Sequence, residues 1–258
     1  SYKKALAIKP DYANACNNFG NILKDLGQLD DAVKSFEKAI AIKPGYADAH
    51  NNLGNTLRDL DQLDAAVKSY EKALTIKPDY AEAHNNLGNV LKDLGQLDAS
   101  IKSFEKALAI KPDYAEAHYN LGSTLKKLGQ LDTAVKSYEK SLTINPDFAE
   151  AHNNLGLALM ELGQLDVAKK CYDRALTLKP DYAEAYSNHG ILMTVLKRMD
   201  EALTSFKRAL VLNPELNFLL GDLLHSKMLL CLWDDLPNDL NELQNKINNN
   251  EKVIEPFS

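Results

Sequence analysis

Apolar and small residues recur along the chain with the 3.6-residue spacing of helices, in two segments per repeating unit. Residues 81–114 illustrate the pattern. The first segment carries one apolar stripe on His84, Leu87, Gly88, Leu91 and Leu94, and the second carries another on Ile101, Phe104, Ala107 and Leu108. The pattern predicts two amphipathic helices per unit, each with a face that it cannot bury alone.

The period is marked by proline and glycine. Prolines stand at 10, 44, 78, 112, 146, 180 and 214, and glycines recur at the same interval at 20, 54, 88, 122, 156 and 190. The chain therefore divides into a partial repeat at 1–12, six full repeats and a C-terminal segment at 217–258 that we expect to contain a capping helix. The full repeats are 13–46, 47–80, 81–114, 115–148, 149–182 and 183–216. Positions below are counted from the first residue of each repeat.

Turn and cap residues separate the two predicted helices of each repeat. Gly95 suits the left-handed conformation that ends a first helix. Asp98 is predicted to cap the second helix, as are its equivalents Asp30, Asp64, Asp132, Asp166 and Asp200. Pro112 ends that helix, and Asp113 with Glu116 predicts a capping box for the next one. Each repeat is then a helical hairpin, and stacked hairpins share a continuous core.

These residues resemble the tetratricopeptide repeat (TPR). The resemblance rests on Gly at position eight, Ala at twenty, an aromatic at twenty-four, Ala at twenty-seven and Pro at thirty-two. The chain departs from it with Ser100 and Ser141 for Ala, Asp61 and Lys197 for the hairpin Gly, and His189 for Leu. The resemblance implies an all-α, right-handed superhelical solenoid with a C-terminal capping segment.

The composition limits the kinds of partner that the chain is expected to bind. With 30 basic and 36 acidic residues, the net charge of −6 favours neither nucleic acid nor an anionic membrane. No apolar run reaches the ~20 residues of a membrane span. Three cysteines, far apart in sequence, are typical of reduced thiols in a cytoplasmic protein.

Several recurrent side chains suggest chemistry. A histidine recurs at position four, as His50, His84, His118 and His152. Helix axes pack ~8–10 Å apart, too far for these to converge on one metal ion, so we interpret them as packed imidazoles and expect no metal and no cofactor. The acidic row at position two is explained by capping, and the basic row at position twelve is typical of a solvated surface of mixed charge. These rows are Asp48, Glu82, Glu116, Glu150 and Glu184, and Lys24, Arg58, Lys92 and Lys126. No nucleophile–base pair can be identified, so we expect no catalytic residue.

Asparagine is the unusual feature, because each one costs roughly 0.5 kcal/mol against Ala inside a helix. Position six carries an unbroken row on the predicted inner face of the solenoid, and Asn55 and Asn89 at position nine join it as candidates. The candidate peptide-binding residues are Asn18, Asn52, Asn86, Asn120, Asn154, Asn188, Asn55 and Asn89. An amide offers both a donor and an acceptor, so the row could pair with the backbone of an extended polypeptide. The alternative is that the row makes hydrogen bonds between helices.

The C-terminal segment carries a second resemblance, to the junction that follows the TPR array in O-linked N-acetylglucosamine transferase-like (SPINDLY-like) proteins. The matching residues are 219–225, Lys227-Met228, Cys231-Leu232-Trp233-Asp234 and Pro256-Phe257, with Leu232 replacing the family's usual Asp. This resemblance implies a non-catalytic, substrate-docking arm of a protein O-glycosyltransferase whose Asn row contacts substrate backbone. The alternative is a free-standing adaptor. The expected partners are a protein or peptide ligand and, as a further case, a second copy of the chain.

Overall fold

The computed structural model describes residues 12–216, 218–232 and 236–249, except for the side chains of 236–239 and 242. These residues form fourteen α-helices and no strand. The helices are α1 (Ala13–Asp25), α2 (Leu29–Ile42), α3 (Ala47–Asp59), α4 (Leu63–Ile76), α5 (Ala81–Asp93), α6 (Leu97–Ile110), α7 (Ala115–Lys127), α8 (Leu131–Ile144), α9 (Ala149–Glu161), α10 (Leu165–Leu178), α11 (Ala183–Val195), α12 (Met199–Leu212), α13 (Leu219–Leu229) and α14 (Leu236–Asn248). Consecutive hairpins confirm the predicted all-α TPR solenoid.

The chain divides into two compact units, residues 1–130 and 131–258. In the first unit, α1, α3, α5 and α7 contact one another in succession, whereas the second helices α2, α4 and α6 have no such contact among the described residues. The first helices therefore form the more closely packed side of this unit, the inner face predicted for the Asn row. In the second unit α9, α11 and α13 likewise contact in succession. No helix among the described residues has the length and apolarity needed to cross a membrane.

In the repeats of Gly20, Gly54, Gly88, Gly156 and Gly190 an aromatic ring packs against the glycine and closes the hairpin, and this contact explains the glycine at position eight. A Cβ atom on Gly54 would lie 2.7 Å from Tyr70 Cε1, and one on Gly88 would lie 2.7 Å from Phe104 Cε1. Both rings are fully buried. The same contact joins Gly20 to Phe36, Gly156 to Tyr172 and Gly190 to Phe206. Only a residue without a Cβ lets the two helices approach this closely.

The predicted left-handed turn after the first helix is confirmed. Gly95 has φ +75°, and the N–H of Gln96 donates to the carbonyl of Leu91 at 2.8 Å, which is the 6→1 bond of a Schellman motif. Asp61 and Lys197 hold the same conformation, with φ 58° and 59°, although they carry side chains. The turn is thus dictated by the repeat rather than by glycine itself.

The predicted N-caps are wrong. The second helices begin one residue before the aspartates, so Gln28, Gln62, Gln96 and Gln164 occupy the N-cap and make no side-chain cap hydrogen bond. Asp30, Asp64, Asp98, Asp132, Asp166 and Asp200 lie instead in the first turn, where their charge is favourable beside the positive end of the helix dipole. The capping box of Asp113 and Glu116 is also wrong, because Tyr114 is the N-cap of α7 and the cap makes no side-chain hydrogen bond.

The loops between repeats share a lysine–tyrosine contact. The Lys77 ammonium lies 4.5 Å from the centroid of the Tyr80 ring, and the equivalent pairs at Lys43, Lys111 and Lys179 span 4.6–4.7 Å. The fourth repeat has Asn145 at the lysine position, and its side-chain Oδ1 accepts a hydrogen bond from the N–H of Asp147 at 3.3 Å. These contacts order the short loop that follows each second helix.

A capping helix is present as predicted, since α13 buries Leu219, Leu220, Leu223 and Leu224. The turn after α13 contains Cys231, which has φ 55° and lies one repeat length after Lys197. In this turn the N–H of Leu232 donates to the carbonyl oxygen of Lys227 at 3.0 Å. The turn geometry of the repeats thus continues after the proline pattern has ended, a continuity that sequence reasoning missed. A second helix of the segment, α14, follows this turn, and its Leu240 and Ile247 are exposed. Trp233, Asp234, Val253, Ile254, Pro256 and Phe257 lie outside the described residues.

Candidate functional site

The Asn row at position six makes hydrogen bonds between repeats. Within the first unit, Nδ2 of Asn52, Asn86 and Asn120 donates to Oδ1 of Asn17, Asn51 and Asn85, at 3.0, 3.1 and 3.1 Å. Within the second unit, Asn188 Nδ2 donates to Asn153 Oδ1 at 3.0 Å. The acceptors occupy position five of the preceding repeat and are 4–5% exposed. Sequence reasoning missed this role of position five, although the recurrent Asn-Asn pair was its visible signal.

These bonds leave part of each position-six amide available. Asn52, Asn86, Asn120 and Asn188 are half-buried, and each uses one of the two N–H groups of its side chain. The other N–H and the Oδ1 atom make no hydrogen bond among the described residues, so one donor and one acceptor remain. Because the buried partner fixes the orientation of the amide, the free donor and acceptor are held in place in advance.

Two members of the row differ from the others. Asn18 is exposed. Asn154 Oδ1 accepts a hydrogen bond from Asn153 Nδ2, its neighbour in the same helix, at 3.2 Å. The fourth repeat has Tyr119 and the sixth has Ser187 at position five, so these two repeats carry no amide at that position.

The two position-nine candidates are in different states. Asn55 Oδ1 accepts a hydrogen bond from the buried hydroxyl of Tyr70 at 2.7 Å, so Asn55 supports its own hairpin. In the repeat of Asn89 the residue equivalent to Tyr70 is Phe104, which has no hydroxyl. The Asn89 amide makes no hydrogen bond among the described residues. Of these two candidates, Asn89 therefore has its whole amide available to a ligand, while Asn55 is partly occupied.

The basic row at position twelve does more than form a solvated surface. Lys24 Nζ lies 3.1 Å from Asp59 Oδ2, and Arg58 Nε lies 3.6 Å from Asp93 Oδ2. Each of these two basic residues thus pairs with position thirteen of the next repeat. The pairs are partly exposed, so each contributes no more than about 1 kcal/mol.

Each recurrent histidine contacts the loop that precedes its helix, as expected for a packed imidazole. Nε2 of His50, His84, His118 and His152 lies 3.2, 3.0, 3.0 and 2.9 Å from the carbonyl oxygens of Pro44, Pro78, Pro112 and Pro146. Burial lowers the pKa of His50 and of His84. Among the described residues no group of His, Cys, Asp and Glu side chains could hold a metal ion.

A serine, a histidine and an aspartate lie close together, but they do not form a nucleophile–base pair. His189 Nδ1 lies 2.9 Å from Ser205 Oγ, and His189 Nε2 lies 3.6 Å from Asp173 Oδ1. Ser205 Oγ donates its own hydrogen to the Glu201 carbonyl at 2.9 Å. The imidazole must then donate from Nδ1, so it cannot take a proton from Ser205. His189 stands where the second to fifth repeats have Leu, and these contacts give both of its ring nitrogens a polar partner.

The two buried cysteines are unsuited to nucleophilic chemistry. Cys16, Cys171 and Cys231 are all free thiols, and the first two are buried. Burial raises the pKa of Cys171 to about 11, which keeps its thiol protonated at neutral pH.

Comparison with known families supports the repeat assignment. The TPR-repeat model matches residues 20–58, 54–95, 88–129 and 122–163, and the tetratricopeptide-repeat model matches 149–182. These matches span residues 20–182, which is more than half of the chain. No curated protein matches the sequence.

Solved structures with the same architecture include three that match over nearly their whole length. MamA is 29% identical over 64% of this chain and 96% of its own, with a TM-score of 0.58. YrrB, described as a TPR protein with an unusual peptide-binding site, is 27% identical over 76% of this chain and 99% of its own, with a TM-score of 0.61. PilF of Pseudomonas aeruginosa is 21% identical over 84% of this chain and 96% of its own, with a TM-score of 0.73, and supports the fold alone.

Proposed function

Because the chain belongs to the tetratricopeptide-repeat family, we propose that it is a protein-interaction module that binds an extended polypeptide along its position-six Asn row. The observation that carries this proposal is that half-buried amides in each unit are oriented by a buried Asn of the preceding repeat. Each of these amides still offers one N–H and one carbonyl oxygen to a ligand.

The geometry suits a polypeptide backbone better than any particular side chain. Adjacent helices pack ~8–10 Å apart, and an extended chain advances about 3.3 Å per residue. One amide therefore meets the ligand about every three residues, where it can pair with a backbone N–H or C=O. Affinity that comes from backbone pairing has little sequence preference. The description of YrrB as a peptide-binding TPR protein supports this class of ligand.

The donor and the acceptor of one inter-repeat hydrogen bond provide the test. Asn86→Ala and Asn51→Ala both remove the Asn86–Asn51 bond, but only Asn86 has an amide that remains available to a ligand. We expect Asn86→Ala to weaken the capture of an extended peptide about three- to tenfold, since it removes one or two hydrogen bonds worth roughly 1 kcal/mol in total. Asn51→Ala should weaken it less.

The measurement is fluorescence anisotropy of a labelled peptide at a temperature where circular dichroism shows both variants fully folded. Asn89→Ala and Asn55→Ala form a second pair, in which only the amide of Asn89 is unoccupied. Equal affinities for the wild type, Asn86→Ala and Asn89→Ala would reassign the Asn row to a structural role.

A narrower candidate is the substrate-docking arm of a protein O-glycosyltransferase, for which the chain alone is non-catalytic. The resemblance of residues 219–234 to the junction in O-linked N-acetylglucosamine transferase-like proteins favours it. The test compares this chain with the longest natural gene product, measuring sugar transfer and binding of a uridine-diphosphate sugar. We expect activity from a longer product only. Nucleotide-sugar binding by residues 1–258 would refute the non-catalytic assignment, and a gene that ends at Ser258 would leave the free-standing adaptor.

A further inference from the structure

The inter-repeat ion pairs of the first unit follow a rule that is broken once. Position twelve is basic in the first three repeats, as Lys24, Arg58 and Lys92. Lys24 and Arg58 each form an ion pair with the aspartate at position thirteen of the next repeat, Asp59 at 3.1 Å and Asp93 at 3.6 Å. The residue at the equivalent position opposite Lys92 is Lys127, which is basic.

Lys92 consequently has no acidic partner in the next repeat. Its side chain is half-buried, and it makes no ion pair or hydrogen bond among the described residues. Lys127, at the end of α7, is exposed and likewise has no ion pair there. Burial lowers the pKa of Lys92, and the charges of Arg58 and Lys127 lower it further while Asp93 raises it. An anion placed between the two ammonium groups would relieve this repulsion.

The location connects this gap to the Asn row. Lys92 follows Asn89 by three residues in α5, and residues at this spacing lie on the same helix face with Cβ atoms about 5–6 Å apart. The Asn89 amide also makes no hydrogen bond among the described residues. A backbone bound along the position-six amides would therefore pass one of its side chains close to Lys92.

We propose that Lys92 and Lys127 bind the carboxylate of an Asp or Glu side chain in the extended polypeptide, so that the array selects a peptide with one acidic residue. This inference rests on the proposed function and adds a sequence preference to it. The ligand is a single carboxylate rather than a nucleic acid, because Asp93 is adjacent to Lys92 in the sequence and the protein carries a net charge of −6.

The test uses two labelled peptides of Ser, Thr and Ala, about twelve residues long so that each spans about four repeats. They are identical except for Glu or Gln at the centre. We expect the wild type to bind the Glu peptide about three- to fivefold more tightly at low salt. The preference should vanish at about 0.5 M salt.

Three variants locate the effect. Lys127→Asp places an acceptor where Asp59 and Asp93 stand in the other repeats, and should abolish the preference for Glu, as should Lys92→Gln. Lys102→Asp, on the exposed surface of α6, makes the same change of net charge and should retain the preference. Equal binding of both peptides by the wild type, or loss of the preference in Lys102→Asp, overturns this inference alone. Failure of the wild type to bind either peptide overturns the proposed function with it.

Discussion

Asn55→Ala should destabilise the protein although Asn is a poor helix former. The change removes Oδ1, which accepts the hydrogen bond of the Tyr70 hydroxyl at 2.7 Å. Tyr70 is fully buried, so water cannot replace the lost acceptor without a rearrangement of the core. Asn89→Ala is the matched control, because Phe104 in that repeat has no hydroxyl.

The magnitude follows from two opposing contributions. A buried hydroxyl left without a partner costs about 1–3 kcal/mol, while Asn→Ala inside a helix gains about 0.5 kcal/mol. Asn55→Ala should therefore lower the free energy of unfolding by about 0.5–2.5 kcal/mol. Asn89→Ala should raise it by about 0.5 kcal/mol.

Equilibrium urea denaturation followed by circular dichroism measures both variants, with m-values checked because repeat arrays can lose two-state behaviour. Tyr70→Phe completes a double-mutant cycle, since Asn55→Ala should be harmless once the hydroxyl is gone. If Asn55→Ala is as benign as Asn89→Ala, or remains costly with Phe at residue 70, the hydrogen bond contributes nothing to stability and the reasoning fails.

Three further predictions concern stability. Gly88→Ala should cost about 1–3 kcal/mol by urea denaturation, because its Cβ would lie 2.7 Å from Phe104 Cε1, whereas Gly45→Ala, with nothing within 4 Å, should be neutral or slightly stabilising. Lys197→Gly should raise the melting temperature, since it relieves a side chain at φ 59° that costs about 1 kcal/mol; an unchanged melting temperature would contradict this. Acidification should destabilise the protein as pH falls below the ordinary histidine pKa of 6.5. Burial lowers the pKa of His84 in the folded state, and Nδ1 of His84 has no hydrogen-bond partner. The folded state therefore binds fewer protons than the unfolded state, and stability is lost as pH falls. The loss should be smaller in His84→Gln than in the matched variant His152→Gln.

The helices and turns were predictable because they depend on local signals that recur in every repeat. The hairpin turn at Asp61 and Lys197 could be inferred from register even without Gly. The N-caps were predicted wrongly because a shift of one or two residues at a helix start changes no apolar stripe, and Asp suits the first turn as well as the cap.

The side-chain network was harder to predict, because its partners come from different repeats. Position six alone suggested a ligand-binding row, but the Asn86–Asn51 bond depends on how two repeats pack. The contact of His189 with Asp173 joins α11 to α10 and depends on packing in the same way. The gap at Lys92 became visible only when Lys24 and Arg58 proved to have acidic partners in the next repeat.

The glycine–ring contact that closes each hairpin also bears on how quickly the chain folds. It joins residues close in sequence, as in Gly88 and Phe104, so closing it costs little loop entropy. Proteins dominated by such short-range contacts fold fast, and a repeat array can begin folding at any hairpin and propagate to its neighbours. Unfolding should then start from an end, and α14, whose Leu240 and Ile247 remain largely exposed, is the end from which hydrogen exchange should first be seen to spread.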